Sequence, residues 1–398
     1  MGWPPIDFES LAWQSRFDER TAMGALWPHA HYEAAIPPFI SMLDPLLDSR
    51  ISALARAAEN ELVRFDSRFG SELLGFAPIL LRSEAAASSQ IENLTASARA
   101  IFTAELGDTS RRNATEIAGN TKAMQSAITL AHELTVESVL EVHRVLMAGT
   151  AHTPVEWRRE AVWIGTSSRS PHGADFVAPR FERVPPLMDD LMDFASRTEL
   201  PVLAQIAVAH AQFETIHPFS DGNGRTGRAL VQSMLRAKDL TRAVTVPVSA
   251  GLLVDINAYH NALTAYRAGN IQPIVEQIAL ASVDAIRNSA QLVDELRDIH
   301  QKWVDVASPR SGSQLGKALT FASRQPVFTT AMLAAHLDAA AQCLPARASS
   351  SNWVCFSKRT STASARSFAP TTCSRHSIAS PIGPAGAPRS LVGERTHR

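Results

Sequence analysis

Residues 217–228 read HPFSDGNGRTGR, a short string that gathers much of what a phosphate-handling site needs. The turn from Asp221 to Gly224 contains two glycines, Gly222 and Gly224, and this lets backbone N–H groups come close to a ligand. The apolar residues Leu230, Val231, Met234 and Leu235 predict a helix beginning just after the turn. Its unpaired N–H groups and positive dipole end then point at the same spot. Arg225 and Arg228, three apart, project near that helix start and complete a cradle for a polyanion. Asp221 is a hard oxygen ligand suited to a divalent cation such as Mg²⁺ that bridges phosphates. His217, four residues earlier, can accept a proton near neutral pH. Phe219, apolar in a polar loop, predicts an anchor into the core.

The string fits every fixed position of the signature HxFx(D/E)GNGRxxR, and the helix before it ends in HAQFETIHPF. On these residues the chain resembles the Fic family over roughly 30–290. The resemblance implies transfer of AMP from ATP to a Tyr, Ser or Thr hydroxyl of a target protein, and of the chain itself. It gives His217 the role of general base and Asp221 that of holding Mg²⁺ or Mn²⁺. Asn223, Gly222 and Gly224 would steady the α-phosphate, Arg225 the phosphate chain and Arg228 the γ-phosphate. The Doc branch, which phosphorylates its targets, departs from this pattern near the two glycines, so Gly222 and Gly224 favour adenylyl transfer. AMP removal, or transfer from another nucleotide, would use the same site. A reading of another class is an ATP-sensing regulator that binds DNA.

A second motif lies far upstream. Residues 88–93 read SSQIEN, and Ser88, Glu92 and Asn93 fit the inhibitory pattern (S/T)xxxE(G/N) of Fic proteins. Ser88 and Glu92 share one helix face. The resemblance implies that Glu92 pairs with Arg228 and fills the γ-phosphate position, so the enzyme is autoinhibited. Two β-prone runs, 162–164 and 176–177, flank a Gly/Ser/Pro loop and predict a hairpin. Its place before the signature matches the Fic flap, with Val162, Trp163, Ile164 and Gly165 as the target-docking edge. By the same resemblance Tyr259 is a candidate adenine contact. His210 and Glu214 are one helical turn apart and read as buried packing, as does His143.

The elements that must position these residues are helical. Ile51, Leu54, Ala58, Leu62 and Phe65 follow one face of a helix, as do Ile206, Ala209, Phe213 and Ile216. Further helices are expected near 79–105, 113–133, 136–148, 184–196, 255–267 and 271–306. The expected fold is all-α: a Fic helical bundle with a small β-hairpin flap and a partial C-terminal winged-helix-like segment. The expected divisions are an N-terminal helical region with the inhibitory helix (1–105), a catalytic core (106–300), the winged-helix-like segment (301–341) and a tail (342–398).

Composition supports a large folded body. Of 398 residues 45% are hydrophobic and 19% charged, which excludes global disorder. The net charge of −1 conceals a split. From 342 onward seven Arg and one Lys face a single acid, Glu394, giving +7, whereas residues 1–341 hold 30 basic and 38 acidic groups, net −8. An acidic body argues against broad nucleic-acid binding. The Ser-rich tail reads as poorly structured, or as out-of-frame translation, and supplies no folded nucleic-acid surface as it stands. All three cysteines, Cys343, Cys355 and Cys373, lie in that tail, so no disulfide framework holds the body. With no long apolar run and no signal-like start, a cytoplasmic protein without a membrane anchor is expected. A homodimer is compatible with all of this.

Overall fold

The computed structural model describes residues 2–13, 31–69, 76–149, 156–165, 170–337 and 353–355. Two strands open the chain, β1 (Asp7–Ala12) and β2 (His31–Ile36), paired antiparallel from Asp7↔Ile36 to Ala12↔His31. No strand is expected here from the sequence. Then come helices α1 (Ser49–Phe69), α2 (Ala77–Ile91), α3 (Ala98–Glu105), α4 (Arg112–Thr129) and α5 (Val136–Met147). The hairpin β3 (Trp163–Ile164) and β4 (Phe176–Val177) leads to α6 (Val184–Ser196), α7 (Val202–Ile216) and α8 (Asn223–Ala237). The body closes with α9 (Val248–Leu252), α10 (Ile256–Arg267) and the long α11 (Gln272–Ala307).

Helix α7 is the axis of the bundle. The stripe Ile206, Ala209, Phe213 and Ile216 is fully buried, but so is the rest of the helix from Leu203 to Ile216. A helix apolar on nearly every side belongs inside rather than on a surface. Its buried polar residues are tied to neighbouring elements. Gln205 donates to the carbonyls of Phe194, Ala195 and Arg197 at the end of α6, and Gln212 donates to Pro38 O and accepts from the Tyr266 hydroxyl. Helices α6, α8, α10 and α11 pack around it, and α1 lays Ile51, Ala58, Leu62 and Phe65 into the same core.

The stretch 79–105, expected as helical, is two helices. Helix α2 stops because Asn93 turns left-handed at φ +60°. Asn93 N–H then bonds Gln90 O at 2.9 Å and Leu94 N–H bonds Ser89 O at 2.9 Å, a Schellman closure. Asn tolerates this backbone better than other residues with a Cβ, which gives a physical reason for Asn after Glu92.

Beyond α11 stand α12 (Gln314–Arg324), β5 (Val327–Thr329) and α13 (Thr330–His336). The Thr329 hydroxyl accepts from Met332 N–H and caps α13. Of the tail expected to be poorly structured, only β6 (Trp353–Cys355) lies among the described residues, and it pairs antiparallel with β5.

Candidate active site

The loop between α7 and α8 is fixed from several sides. His217 closes α7 in the left-handed region, φ +51°. Phe219 is buried and lies flat on the His143 ring, centroids 3.5 Å apart, with Trp157 and Phe213 beside it. The expected anchor is therefore present, and His143 is the other half of it. His143 Nε2 also contacts Asp221 O at 3.0 Å. Gly222 takes φ +78° as the residue before α8, a conformation that residues with a Cβ rarely adopt. Asn223 braces the loop: its Oδ1 accepts from Phe219 N–H at 2.8 Å and its Nδ2 donates to Phe219 O at 2.7 Å. These two bonds fix the shape of the turn.

The start of α8 is occupied by an internal carboxylate. Glu92, at the end of α2, accepts from Arg228 Nη2 at 2.8 Å. Arg228 also donates from Nε to Ser88 Oγ at 2.9 Å and from Nη2 to Ser88 O at 2.8 Å. All three bonds run between α2 and a guanidinium that is 3% exposed. A Cβ on Gly224 would lie 2.0 Å from Glu92 Oε1, so the carboxylate rests directly over the glycine backbone at the helix start. Burial pushes the Glu92 carboxyl up, but Arg228, then Arg225 and His217, outweigh it and hold the group ionised below its ordinary value.

Arg225 is 4% exposed, and its ion pairs among the described residues are distant, 3.8 Å to Glu116 and 3.8 Å to Asp221. Its Nε and Nη1 find no hydrogen-bond partner among the described residues. A buried guanidinium held this loosely is a ready anion receptor. Asp221 lies at the mouth of the cradle with its side chain 52% exposed, and its Oδ1 accepts from Gly222 N–H at 2.6 Å. No group of three or more His, Cys, Asp or Glu side chains suited to a metal occurs among the described residues. A divalent cation at Asp221 would therefore share its coordination with ligand oxygens, which fits the phosphate-bridging role.

Burial pushes His217 down to about 4, helped by the Arg158 and Arg267 charges, so its imidazole is neutral at physiological pH. Its Nδ1 is buried without a hydrogen-bond partner among the described residues. Behind it, His210 Nε2 contacts the Tyr259 hydroxyl at 2.8 Å, and burial pushes His210 down to about 3 and Glu214 up to about 7. Tyr259, the candidate adenine contact, is 2% exposed and packs against the His210 ring in this cluster.

The hairpin forms where it is expected. Trp163 pairs with Val177 and Ile164 with Phe176, while Val162 O accepts from Ala178 N–H at 3.1 Å. A Cβ on Gly165 would lie 2.9 Å from Ala174 Cα, so the strands approach closely there. Of the Gly/Ser/Pro loop between the two strands, residues 166–169 lie outside the described residues. Two residues escape sequence reasoning. Arg158 is buried and grips the carbonyls around His217, and Arg267 lies 3.6 Å over the Phe176 ring. The run EWRRE carries no periodic signal that separates buried Arg158 from exposed Arg159.

Residues 133–235 match the family described as Fic/DOC, and residues 54–129 match the Fic/DOC family N-terminal region. A protein adenylyltransferase fic-1 of Caenorhabditis briggsae is 28% identical over 161 residues, which is 39% of this chain and 29% of that protein. The protein adenylyltransferase Fic of Drosophila erecta is 30% identical over 151 residues, 37% of this chain and 28% of that protein. The one from Nematostella vectensis is 28% identical over 185 residues, 42% of this chain and 39% of that protein. The chain thus spans less than half the length of these relatives. A Fic family protein of Desulfovibrio desulfuricans G20 shares the fold, with TM-score 0.52 and 24% identity over 75% of this chain and 86% of that one. No helix among the described residues is long and apolar enough to cross a membrane.

Proposed function

We propose that this chain, a member of the Fic/DOC family through residues 54–129 and 133–235, transfers AMP from ATP to hydroxyl side chains of a target protein and of itself. The observation that carries the reading is the seated carboxylate. Glu92 lies over the Gly224 backbone and on Arg228 at 2.8 Å, so the start of α8 already binds an anion beside a neutral histidine. The relatives named protein adenylyltransferase support the same activity.

In this reading His217 takes the proton from the Tyr, Ser or Thr hydroxyl. A bond forms from that oxygen to the α-phosphorus, the bond to the bridging oxygen breaks, and pyrophosphate leaves. An imidazole held at about 4 is a weak base, but it is unprotonated and ready throughout the physiological range. The N–H groups at the start of α8 stabilise charge on the α-phosphate, Arg225 binds the phosphate chain and Arg228 the γ-phosphate. Asp221 would hold Mg²⁺ or Mn²⁺ on phosphate oxygens, and the ion would neutralise the leaving charge. The rest is positioning, by the β3–β4 flap with its Val162–Gly165 edge.

Glu92 restrains this activity from within the chain, with Ser88 holding Arg228 in line and Asn93 fixing where α2 ends. Residues 1–105 carry the restraint, 106–300 the chemistry, and 301–341 a partial winged-helix-like appendage. Incubating the Glu92→Gly protein with α-labelled ATP tests the whole reading. Covalent label that depends on His217 supports it, and label released from a pre-adenylylated protein instead points to AMP removal.

A further inference from the structure

We propose, on the reading of AMP transfer above, that Arg158 is a positioning residue that locks both ends of the flap hairpin to the backbone of His217. A target strand aligned on the flap is thereby held in register with the base.

The geometry is a single buried guanidinium serving two structures at once. Arg158 Nε donates to His217 O at 2.8 Å, and Nη2 donates to Ile216 O at 3.4 Å. Nη1 donates to Glu160 O at 2.9 Å and Nη2 to Pro179 O at 2.5 Å. Glu160 lies just before β3 and Pro179 just after β4, so these are the two legs of the hairpin. The Arg158 backbone N–H adds a bond to Pro218 O at 3.0 Å. Arg158 is 3% exposed, so water does not substitute for these bonds. Only a planar fork of donors spans four carbonyls, and the point-like ammonium of Lys cannot. The carbonyls it holds flank His217, whose left-handed backbone is costly unless fixed by its surroundings.

The same cation acts on the imidazole. Burial pushes Arg158 down to about 10, still charged at neutral pH. His217 faces Arg158 and Arg267, whose charges push it down, and the Glu214 carbonyl and Glu92, which push it up. Removing the Arg158 charge therefore moves the His217 titration upward, whereas a purely structural brace leaves it in place.

The test compares Arg158→Met and Arg158→Lys in the Glu92→Gly background. Three quantities are read: maximal self-labelling rate with α-labelled ATP, ATP affinity by calorimetry, and the His217 ring titration by NMR. Expected for Arg158→Met is a loss of maximal rate on the order of 10- to 100-fold, ATP affinity within about twofold, and an upward shift of the His217 titration. Arg158→Lys should lose rate comparably with its titration unmoved. An undiminished rate in Arg158→Lys overturns the proposal, even if Arg158→Met does not fold. So does a rate loss matched by equal loss of ATP binding, or an unmoved titration in Arg158→Met. If the Glu92→Gly parent itself transfers no AMP, the functional reading fails instead, and the titration still decides the link between Arg158 and His217.

Discussion

Replacing Glu92 by Gly should open the cradle, and the size of the effect follows from the contact it removes. The bond to Arg228 is 2.8 Å long and joins a carboxylate to a guanidinium that is 3% exposed. A hydrogen bond between charged partners contributes about 1.5–3 kcal/mol. The Glu92 side chain is 39% exposed, so solvent screening favours the lower part of that range, about 1.5–2 kcal/mol. At about 1.4 kcal/mol per tenfold, the vacant cradle becomes roughly 10- to 30-fold more accessible. The assay is the initial rate of self-labelling with α-labelled ATP at low concentration, for wild type, Glu92→Gly and Glu92→Gln. Gln keeps the length and an acceptor oxygen but not the charge, so its rate should fall between the other two. ATP should also raise the melting temperature of Glu92→Gly more than that of wild type. Equal rates in three folded proteins would refute the reasoning.

His217→Ala should abolish labelling in the Glu92→Gly background, a loss of about 10²–10⁴-fold, while calorimetry shows ATP still binding. Gly224→Ala places a Cβ 2.0 Å from the Glu92 oxygen, so it should evict Glu92 yet leave no room for phosphate. Calorimetry on Gly224→Ala in the Glu92→Gly background should therefore find no ATP binding, and retained affinity would contradict the placement. Asn93→Ala forces alanine toward φ +60°, a cost of about 1 kcal/mol, and should loosen Glu92 enough to raise basal labelling about fivefold, with Asn93→Gly neutral. Acid should destabilise the fold in a stated direction. His217 and His210 are held at about 4 and about 3, below the ordinary 6.5, so the unfolded chain binds more protons than the folded one between those values. The histidines' contribution to stability is then full above 6.5 and is lost as pH falls toward 4. Two buried carboxyls, Glu214 raised to about 7 and Glu84 raised by its burial, act in the opposite direction and lose their contribution as pH rises. With Glu84 and Glu214 both replaced by Gln, the urea midpoint at pH 5.5 should lie below that at pH 7.5, and an unchanged midpoint in that folded variant would contradict the burial of these histidines.

What the sequence displays and what it conceals differ for physical reasons. Helix α6 and the hairpin strands Trp163–Ile164 and Phe176–Val177 are legible because periodicity and turn residues are local signals. The HPFSDGNGRTGR string is legible because backbone approach, helix dipole and charge all depend on near neighbours. Glu92 is legible only by resemblance, since its partner Arg228 is 136 positions away. The β1–β2 pair goes unseen because HYEAAI lacks a strict alternation. Asn223 and Tyr259 have scaffold contacts that the sequence does not display. Asn223 bonds both backbone groups of Phe219, and Tyr259 bonds His210. Arg158 is concealed because its value lies in carbonyls 58 and 59 residues downstream, which no local pattern encodes.

The division of charge also bears on mechanism. Residues 1–341 carry net −8, so on the proposed function a nucleotide polyphosphate would be drawn by a local field rather than by the molecule as a whole. That field comes from Arg225, Arg228 and the start of α8, and of these Arg228 holds Glu92 at 2.8 Å.

The central claim is tested most directly by intact-protein mass spectrometry of Glu92→Gly after incubation with ATP and Mg²⁺. The expected result is a gain of one or more adenylyl groups on hydroxyl side chains, absent when His217 is also replaced by Ala. A gain of phosphate alone, or no covalent change in a folded protein that binds ATP, would contradict it.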